Sequence, residues 1–247
     1  MVTVPASPPT PPAPPPAFSE PVGPAARAGA VAVLLHSPLA TAETWGALPE
    51  RLAAAGLPAV VPAVADDDRP PYAVRYVARA ALEIAAAGLT GPVLLVAHGD
   101  AGPLLPAIAA TQRAAHRPVA GYAFVDAALP RAGASDRFDL LDAQRPGESR
   151  ALRARLDSGG THPDGPAPPA GALRPRGADF FTEPLPLVQD WPDAPAGCLR
   201  TCPEGDAAAR QARLRGWPVV ERDLGPWAAA AAPGATARAL VELLGLL

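Results

Sequence analysis

The sequence predicts an α/β fold with a mostly parallel sheet of about six strands and helices on both faces of the sheet. From Ala30 onward, short apolar runs alternate with longer segments whose apolar residues repeat at helical spacing. This alternation is typical of parallel strands joined by crossover helices. The chain has 247 residues, enough for one large domain with a substantial core. We therefore expect residues 30–247 to fold as one domain.

The first half of this region contains three predicted strands and two helices. Trp45, Leu48 and Leu52 recur at a spacing that places them on one helix face, and Thr41 or Thr44 is positioned to cap that helix. A second amphipathic pattern follows residues 66–68 and predicts another helix. We expect residues 66–68 themselves to form an acidic turn in contact with solvent. The predicted strands are residues 31–35, 59–64 and 93–96, and the predicted helices end near residues 55 and 87.

The regular pattern is interrupted between residues 127 and 195, where the sequence becomes charged and rich in proline and glycine. We expect a short irregular cap here, with a helix over residues 149–156 and an apolar patch at Phe180, Phe181 and Leu185. On either side the predicted strands are residues 119–125, 196–202 and 219–224, and the predicted helices are residues 104–110, 206–215 and 236–246.

Composition restricts the partners and the compartment. Residues 1–29 are dominated by proline and predict a disordered or polyproline-II tail without the basic start and apolar run of a signal peptide. No apolar run approaches the ~20 residues that span a bilayer, so we expect a soluble, cytoplasmic protein with no membrane partner. The net charge of −3 comes from 21 basic and 24 acidic residues without an arginine-rich block, which makes nucleic acid an unlikely partner.

The two cysteines, Cys198 and Cys202, lie four residues apart on one predicted strand. That spacing separates them by about 13 Å, beyond the roughly 7 Å limit for a disulfide, so free thiols are expected. The sequence has no Cys/His cluster at ligand spacing, and neither a metal nor a cofactor is expected.

The most informative stretch is residues 92–103, where an apolar run breaks into a turn of small residues that opens a helix. It resembles the nucleophile elbow of the α/β-hydrolases, in which small residues stand two before and two after the nucleophile. Here the small pair is Ala97 and Ala101. This register places Gly99, which has no side chain, at the nucleophile position.

Three further segments carry the same resemblance in the same order. They are His36-Ser37 with Trp45 in the following helix, Asp126 after a strand, and Leu224-Gly225-Pro226-Trp227 after the last strand. From about residue 30 to its end, the chain resembles an α/β-hydrolase of the short, single-domain bacterial type.

The resemblance implies a degenerate catalytic triad. Gly99 stands for the serine and Pro226 for the histidine, while the acid corresponds to Asp206 or alternatively to Asp126. Either acid is equally suited to cap the helix that it precedes. The family's oxyanion hole would be formed by the backbone N–H of Asp100 and by the loop after His36. The pocket residues implied by the resemblance are His36, Ser37, Pro38, Gly99, Asp100 and Trp227.

A shift of the elbow by one residue would make Asp100 the nucleophile, as in the haloalkane dehalogenases. That register puts His98 instead of a small residue two positions before the nucleophile, and the ester formed would still need a histidine-activated water. His98 and His36 are the candidate proton carriers, and for both we favour a structural role.

Three functional hypotheses follow. The preferred one is a protein of this fold that has lost Ser-His-Asp hydrolysis and acts as a small-molecule-binding or interaction protein, with a small apolar or carbonyl-containing ligand. The alternative is a lyase, isomerase or cyclase that uses the oxyanion hole, with His36, His98, Asp100 or Asp126 moving a proton. The third is a hydrolase with Asp100 as nucleophile. The sequence favours no oligomeric state.

Overall fold

A sheet of parallel strands forms the centre of the fold. The computed structural model describes residues 29–65, 67–163 and 167–247, so the predicted N-terminal tail lies almost entirely outside the described residues. The sheet order is β2-β1-β3-β4-β5-β6. The strands are β1 (Val31–Leu35), β2 (Ala59–Val60), β3 (Val93–His98), β4 (Val119–Val125), β5 (Ala196–Arg200) and β6 (Val219–Glu221). Because the order reverses between β1 and β3, the carboxyl ends of these two strands border the place where open α/β sheets hold their sites.

Helices connect the strands and cover both faces of the sheet. They are α1 (Leu48–Ala54), α2 (Tyr72–Ala86), α3 (Leu105–Ala114), α4 (Arg137–Gln144), α5 (Pro146–Asp157), α6 (Ala178–Thr182), α7 (Asp206–Leu214), α8 (Ala228–Ala231) and α9 (Pro233–Gly245). Short 3-10 helices cover Ala42–Trp45, Gly99–Leu104 and Pro203–Gly205. None of the described helices has the length and apolar character needed to cross a membrane.

Successive residues of the central strands pack into two separate cores. Leu95 and Ala97 of β3 pack with α2, α3 and α7, whereas Leu94 and Val96 pack with α1 and α9. A parallel sheet buried on both faces requires nearly continuous apolar strands, which is why these runs were recognisable in the sequence. The predicted fold class is confirmed.

The segment between β4 and β5 carries α4, α5 and α6. Its apolar side chains form a third cluster with two residues of the sheet domain, Leu39 and Tyr72. Glu183 fixes the contact because its carboxylate accepts the backbone N–H groups of Tyr72 and Ala73 at the start of α2. A carboxylate at a helix N-terminus is favourable because it pairs with N–H groups that have no partner within the helix. Of the predicted apolar patch, Phe180 and Phe181 are buried in this cluster, whereas Leu185 packs into the core that contains α2, α3 and α7.

Three predictions about local structure were wrong. The helix predicted to begin at Thr41 or Thr44 is a 3-10 turn followed by α1, and neither threonine side chain caps a helix. Strand β2 ends at Val60 and not at Val64, and the N–H of Val64 donates to the ring of His36. Helices α4 and α6 were not predicted at all.

The acidic turn also differs from the expectation of a solvated surface. Asp68 is exposed, but Asp67 is completely buried and contacts Arg174 at 2.5 Å and Arg176 at 3.5 Å. Asp66 lies outside the described residues. A buried carboxylate needs such partners, because burying an unpaired charge is very costly.

Candidate functional site

The turn after β3 has the geometry of a sharp strand-to-helix elbow. Gly99 lies at its tip with a φ of +55°, a conformation that favours glycine. A Cβ atom on Gly99 would lie 3.1 Å from both Cβ and Oγ of Ser37. Gly102 is closer still to its neighbours, since a Cβ there would lie 2.0 Å from the carbonyl oxygen of Ala128. The elbow is therefore held tightly between the loops that follow β1 and β4.

The hydroxyl of Ser37 occupies the space beside the elbow tip. Its Oγ accepts the backbone N–H of Leu39 at 3.2 Å and that of Asp100 at 3.4 Å, and the residue is 5% exposed. Pro38 has no N–H to donate. The N–H of Ala40 is used within the same loop, 2.9 Å from the carbonyl oxygen of Ser37. The backbone donors expected to form an oxyanion hole thus converge on a side chain of the protein itself.

His36 is a buried structural histidine in this geometry. Its Nε2 lies 3.3 Å from the backbone nitrogen of Val64, and its Nδ1 lies 2.9 Å from the carbonyl oxygen of Ser37. Because a backbone N–H can only donate, Nε2 is the acceptor and Nδ1 carries the proton. Burial lowers the pKa of His36, and the hydrogen bond to Ser37 opposes that shift only in part. Both nitrogens of the neutral ring are therefore engaged in holding the loop.

His98 lies between two indoles. Its ring centroid is 5.9 Å from that of Trp45 and 5.4 Å from that of Trp227. Burial lowers the pKa of His98, although the carboxylates of Asp126 and Asp100 attract the protonated form. The neutral imidazole of His98, which interacts with two carboxylates, is therefore the group at this elbow that most resembles a proton carrier.

The two candidate acids occupy different environments. Asp126, with a φ of +45°, follows β4, and its carboxylate accepts the N–H of Thr201 at 2.7 Å as well as the Thr201 hydroxyl. Asp206 is exposed and pairs with Nε of Arg200 at 2.7 Å, without a hydrogen bond to the start of α7. Of the two acids, Asp126 is the one that interacts electrostatically with His98, whereas Asp206 is exposed at the surface.

The loop after β6 brings an aromatic side chain to the elbow. Gly225 and Trp227 both have positive φ values, +83° and +58°, and Pro226 between them is exposed. The Trp227 ring contacts His98, as described above. Where the resemblance implies an imidazole, the structure has an indole and a pyrrolidine ring, neither of which takes up a proton near neutral pH.

Arg137, on α4, is a buried charge that the sequence analysis missed. It is 2% exposed, its guanidinium carbon lies 3.8 Å from the centroid of the Phe180 ring, and its Nη1 donates to the Phe180 carbonyl at 2.9 Å. Burial lowers the pKa of Arg137, and the carboxylates of Asp100 and Glu183 oppose that shift. The sequence indicated the burial of Arg137 only weakly, because a single arginine in a charged, irregular segment is typical of a surface position.

Two clefts formed by the described residues lie away from the elbow tip, and neither is lined by Gly99, Asp100 or Trp227. One has a volume of about 480 Å³ and lies between the start of α3, the segment after β4 and the residues around Trp191 and Trp217. The other, of about 210 Å³, lies between residues 41–43, residues 63–65 and Arg174. Among the described residues no group of three or more His, Cys, Asp or Glu side chains is placed to hold a metal ion.

Comparison with known proteins gives a consistent picture of the fold. No protein-family model matches the sequence, and no curated protein matches it significantly. Solved structures do match. An extracellular α/β-hydrolase from a Paenibacillus species, described as sharing structural and functional homology with tobacco salicylic acid binding protein 2, superposes with a TM-score of 0.63 at 17% identity, over 87% of this chain and 98% of the other.

Two further hydrolases agree. A pyrethroid hydrolase from Sphingobium faniae JZ-2 gives a TM-score of 0.59 at 18% identity, over 87% of this chain and 97% of the other. A variant of polyneuridine aldehyde esterase gives a TM-score of 0.56 at 14% identity, over 87% of this chain and 98% of the other. With the sheet order and the elbow described above, these similarities show that the chain has the α/β-hydrolase fold.

Proposed function

We propose that this protein has lost serine-triad hydrolysis and acts as a small-molecule-binding protein on an α/β-hydrolase scaffold. One observation carries the proposal. The elbow tip is Gly99, which has no nucleophilic side chain, and the amide that follows it donates to the hydroxyl of Ser37 at 3.4 Å. The nucleophile and the free oxyanion donor are therefore missing from the same place.

The chemistry of acyl transfer explains why this loss is decisive. A serine hydroxyl attacks an acyl carbon because an imidazole removes its proton and later returns it to the leaving group. Ser37 has a hydroxyl near the elbow, but His36 beside it has both ring nitrogens engaged. Without nucleophile and base, a site of this type retains only about 10³ to 10⁴ of rate enhancement over water, and that remainder depends on a functioning oxyanion hole.

The same contacts weigh against the two alternatives. A lyase or isomerase would need free amides to polarise a carbonyl oxygen, and Ser37 accepts both. A hydrolase that used Asp100 would need a histidine-activated water. The loop after β6 supplies Trp227 and not a histidine, and His98, which interacts with the Asp100 carboxylate, is packed between the rings of Trp45 and Trp227. In our proposal, residues 127–163 and 167–195 belong to a cap, which packs against Leu39 and Tyr72 of the sheet domain.

Hydrolysis of p-nitrophenyl acetate tests the proposal directly. We expect the protein to give a rate that rises linearly with ester concentration and that equals the rate of the Ser37→Ala and Asp100→Asn variants. Saturable turnover that disappears in either variant would contradict the loss of hydrolysis and identify the nucleophile.

Covalent trapping provides a second measurement. An alkyl fluorophosphonate labels activated serines, and 1-bromobutane would leave a butyl ester on a nucleophilic aspartate. Intact-protein mass spectrometry should show no adduct from either reagent on the folded protein. A phosphonyl adduct at Ser37 or a butyl ester at Asp100 would overturn the proposal.

A further inference from the structure

The cleft of about 480 Å³ has an unusual lining. Apart from two arginines, Arg131 and Arg215, all the side chains that line it are apolar. No carboxylate, hydroxyl or amide side chain is among these described lining residues. The chain as a whole has more acidic than basic residues, 24 against 21, so a cleft with two cations and no acid differs from the average surface of the molecule.

The walls of the cleft are rigid and aromatic. Two of the four tryptophans of the chain, Trp191 and Trp217, line it, with ring centroids 5.8 Å apart in an edge-to-face arrangement. Phe124 stacks behind Trp217 at 5.7 Å, so the aromatic surface is anchored to the central sheet. Proline, which fixes its own φ and has no N–H, supplies five other lining residues: Pro103, Pro106, Pro130, Pro186 and Pro192. Such a surface is preformed and offers planar apolar contacts.

Arg215 is held at the mouth of the cleft without a carboxylate partner among the described residues. Its guanidinium carbon lies 4.9 Å from the centroid of the Trp217 ring, and its Nη2 donates to the carbonyl oxygen of Pro130 at 2.7 Å. These two contacts fix its position but do not neutralise its charge. The remaining N–H donors of the planar fork are free to meet an anion, and a carboxylate matches that fork in a bidentate manner.

From these observations we infer that the cleft beside Trp191, Trp217 and Arg215 binds a small aromatic or apolar carboxylate, with its ring against the indoles and its carboxylate at Arg215. The absence of hydroxyl, amide and acidic side chains from the lining disfavours sugars and cationic ligands. This inference deepens the proposed binding role and rests on it. The cleft borders the end of the elbow at Pro103 but is not lined by Gly99 or Asp100, so in this inference its ligand is bound and not hydrolysed.

The test uses two probes of equal shape, 2-naphthoate and its neutral analogue 2-naphthamide, titrated calorimetrically into the full-length protein. We expect both to bind, and Arg215→Gln to weaken binding of 2-naphthoate about threefold to tenfold while leaving 2-naphthamide unchanged. Arg210→Gln is the matched control, because Arg210 is exposed on α7, outside the cleft, and its loss changes the net charge equally. That variant should bind both probes like the unmodified protein.

A second variant keeps the test informative if Arg215→Gln impairs folding. Ala132 lines the cleft and is exposed, so Ala132→Trp should fill the cleft without disturbing the core and should abolish binding of both probes. The inference is overturned if 2-naphthoate does not bind at about 1 mM, if Arg215→Gln and Arg210→Gln behave alike, or if Ala132→Trp binds normally. These outcomes are independent of the ester assay, so failure of this site would leave the loss of hydrolysis intact.

Discussion

The backbone conformation of Gly99 and the position of Ser37 together restrict which side chain the elbow accepts at position 99. The backbone of Gly99 has a positive φ, and the space where its side chain would stand is bordered by Ser37. A side chain at position 99 therefore meets two separate obstacles, an unfavourable backbone conformation and a close neighbour.

Gly99→Ser should lower the free energy of unfolding by about 2 kcal/mol, of which roughly half reflects the left-handed backbone. Gly216→Ser is the control, because Gly216 has a φ of +73° but nothing within 4 Å of an added Cβ. It should cost about 1 kcal/mol. Urea unfolding measures both, and equal losses would show that Ser37 is not an obstacle.

His36 makes stability depend on pH. Its pKa is lowered by burial in the folded state, so below its ordinary value of about 6.5 the unfolded chain binds the proton first. His98 acts in the same direction. The free energy of unfolding should therefore be fully developed above pH 6.5 and fall at lower pH, by at most about 1.4 kcal/mol per pH unit for each histidine.

Urea midpoints between pH 8 and pH 5 check this expectation. The variant His36→Gln should be less stable at pH 8 and should show a shallower loss towards pH 5. His116→Asn, which replaces a histidine at an exposed position with a φ of +57°, is the matched control. An unchanged slope in His36→Gln would assign the pH dependence to other groups.

At the scale of elements, a buried ion pair joins the sheet domain to the segment before α6. Asp67 precedes α2, and its partners Arg174 and Arg176 belong to the segment between β4 and β5. Together with Glu183 at the start of α2, this pair fixes the segment to the body of the fold.

Asp67→Asn should lower the free energy of unfolding by about 3 kcal/mol, because it removes the buried carboxylate that pairs with the buried Arg176 and the partly buried Arg174. Asp68→Asn removes the same charge from the exposed neighbouring residue and should change stability by less than about 0.5 kcal/mol. Chemical denaturation compares the two variants. If both change stability equally, the pair does not contribute as described.

The elements that the sequence predicted well are those with a strong local signal. The apolar runs of β1, β3 and β4 were located because both faces of the sheet are buried. Strand β2 was overestimated because the apolar run of residues 59–64 continues past the two residues that pair with β1, and Val64 donates instead to His36, 28 residues away. Helix α4 was missed although Asp136 caps it by accepting the N–H of Asp139, since its charged sequence gives little amphipathic pattern.

The candidate site also contains residues that a local sequence pattern located and residues that it could not locate. The register of Ala97 and Ala101 was enough to place Gly99 at the tip of the turn, and the residues after β6 were enough to locate Pro226 and Trp227. The contact of Ser37 with the amide of Asp100 and the burial of Arg137 arise from tertiary packing between distant segments. No local pattern encodes such contacts.

At the scale of the whole molecule, both thiols are enclosed. Cys198 is 0% and Cys202 is 5% exposed, and both are free. Burial raises the pKa of Cys198 to about 12 and raises that of Cys202 as well. Since the thiolate is the reactive form, neither cysteine should react while the sheet is intact.

Labelling with 5,5′-dithiobis(2-nitrobenzoate) at pH 8 should therefore modify no cysteine of the folded protein and both cysteines in concentrated urea. Between these limits the labelling rate should follow opening of the sheet. Rapid reaction of one thiol without denaturant would show that the end of β5 opens locally.

The hydrogen bond from the backbone N–H of Asp100 to the hydroxyl of Ser37 has a consequence for protein engineering. In a variant that combines Gly99→Ser with Pro226→His, the backbone N–H of Asp100 would still donate to the hydroxyl of Ser37. Pro38 in the neighbouring loop has no N–H that could stabilise an oxyanion. A rebuilt esterase would need at least a third replacement at position 37, and none of the three is useful alone. Under the function proposed above, a return to ester hydrolysis would therefore require several replacements at once.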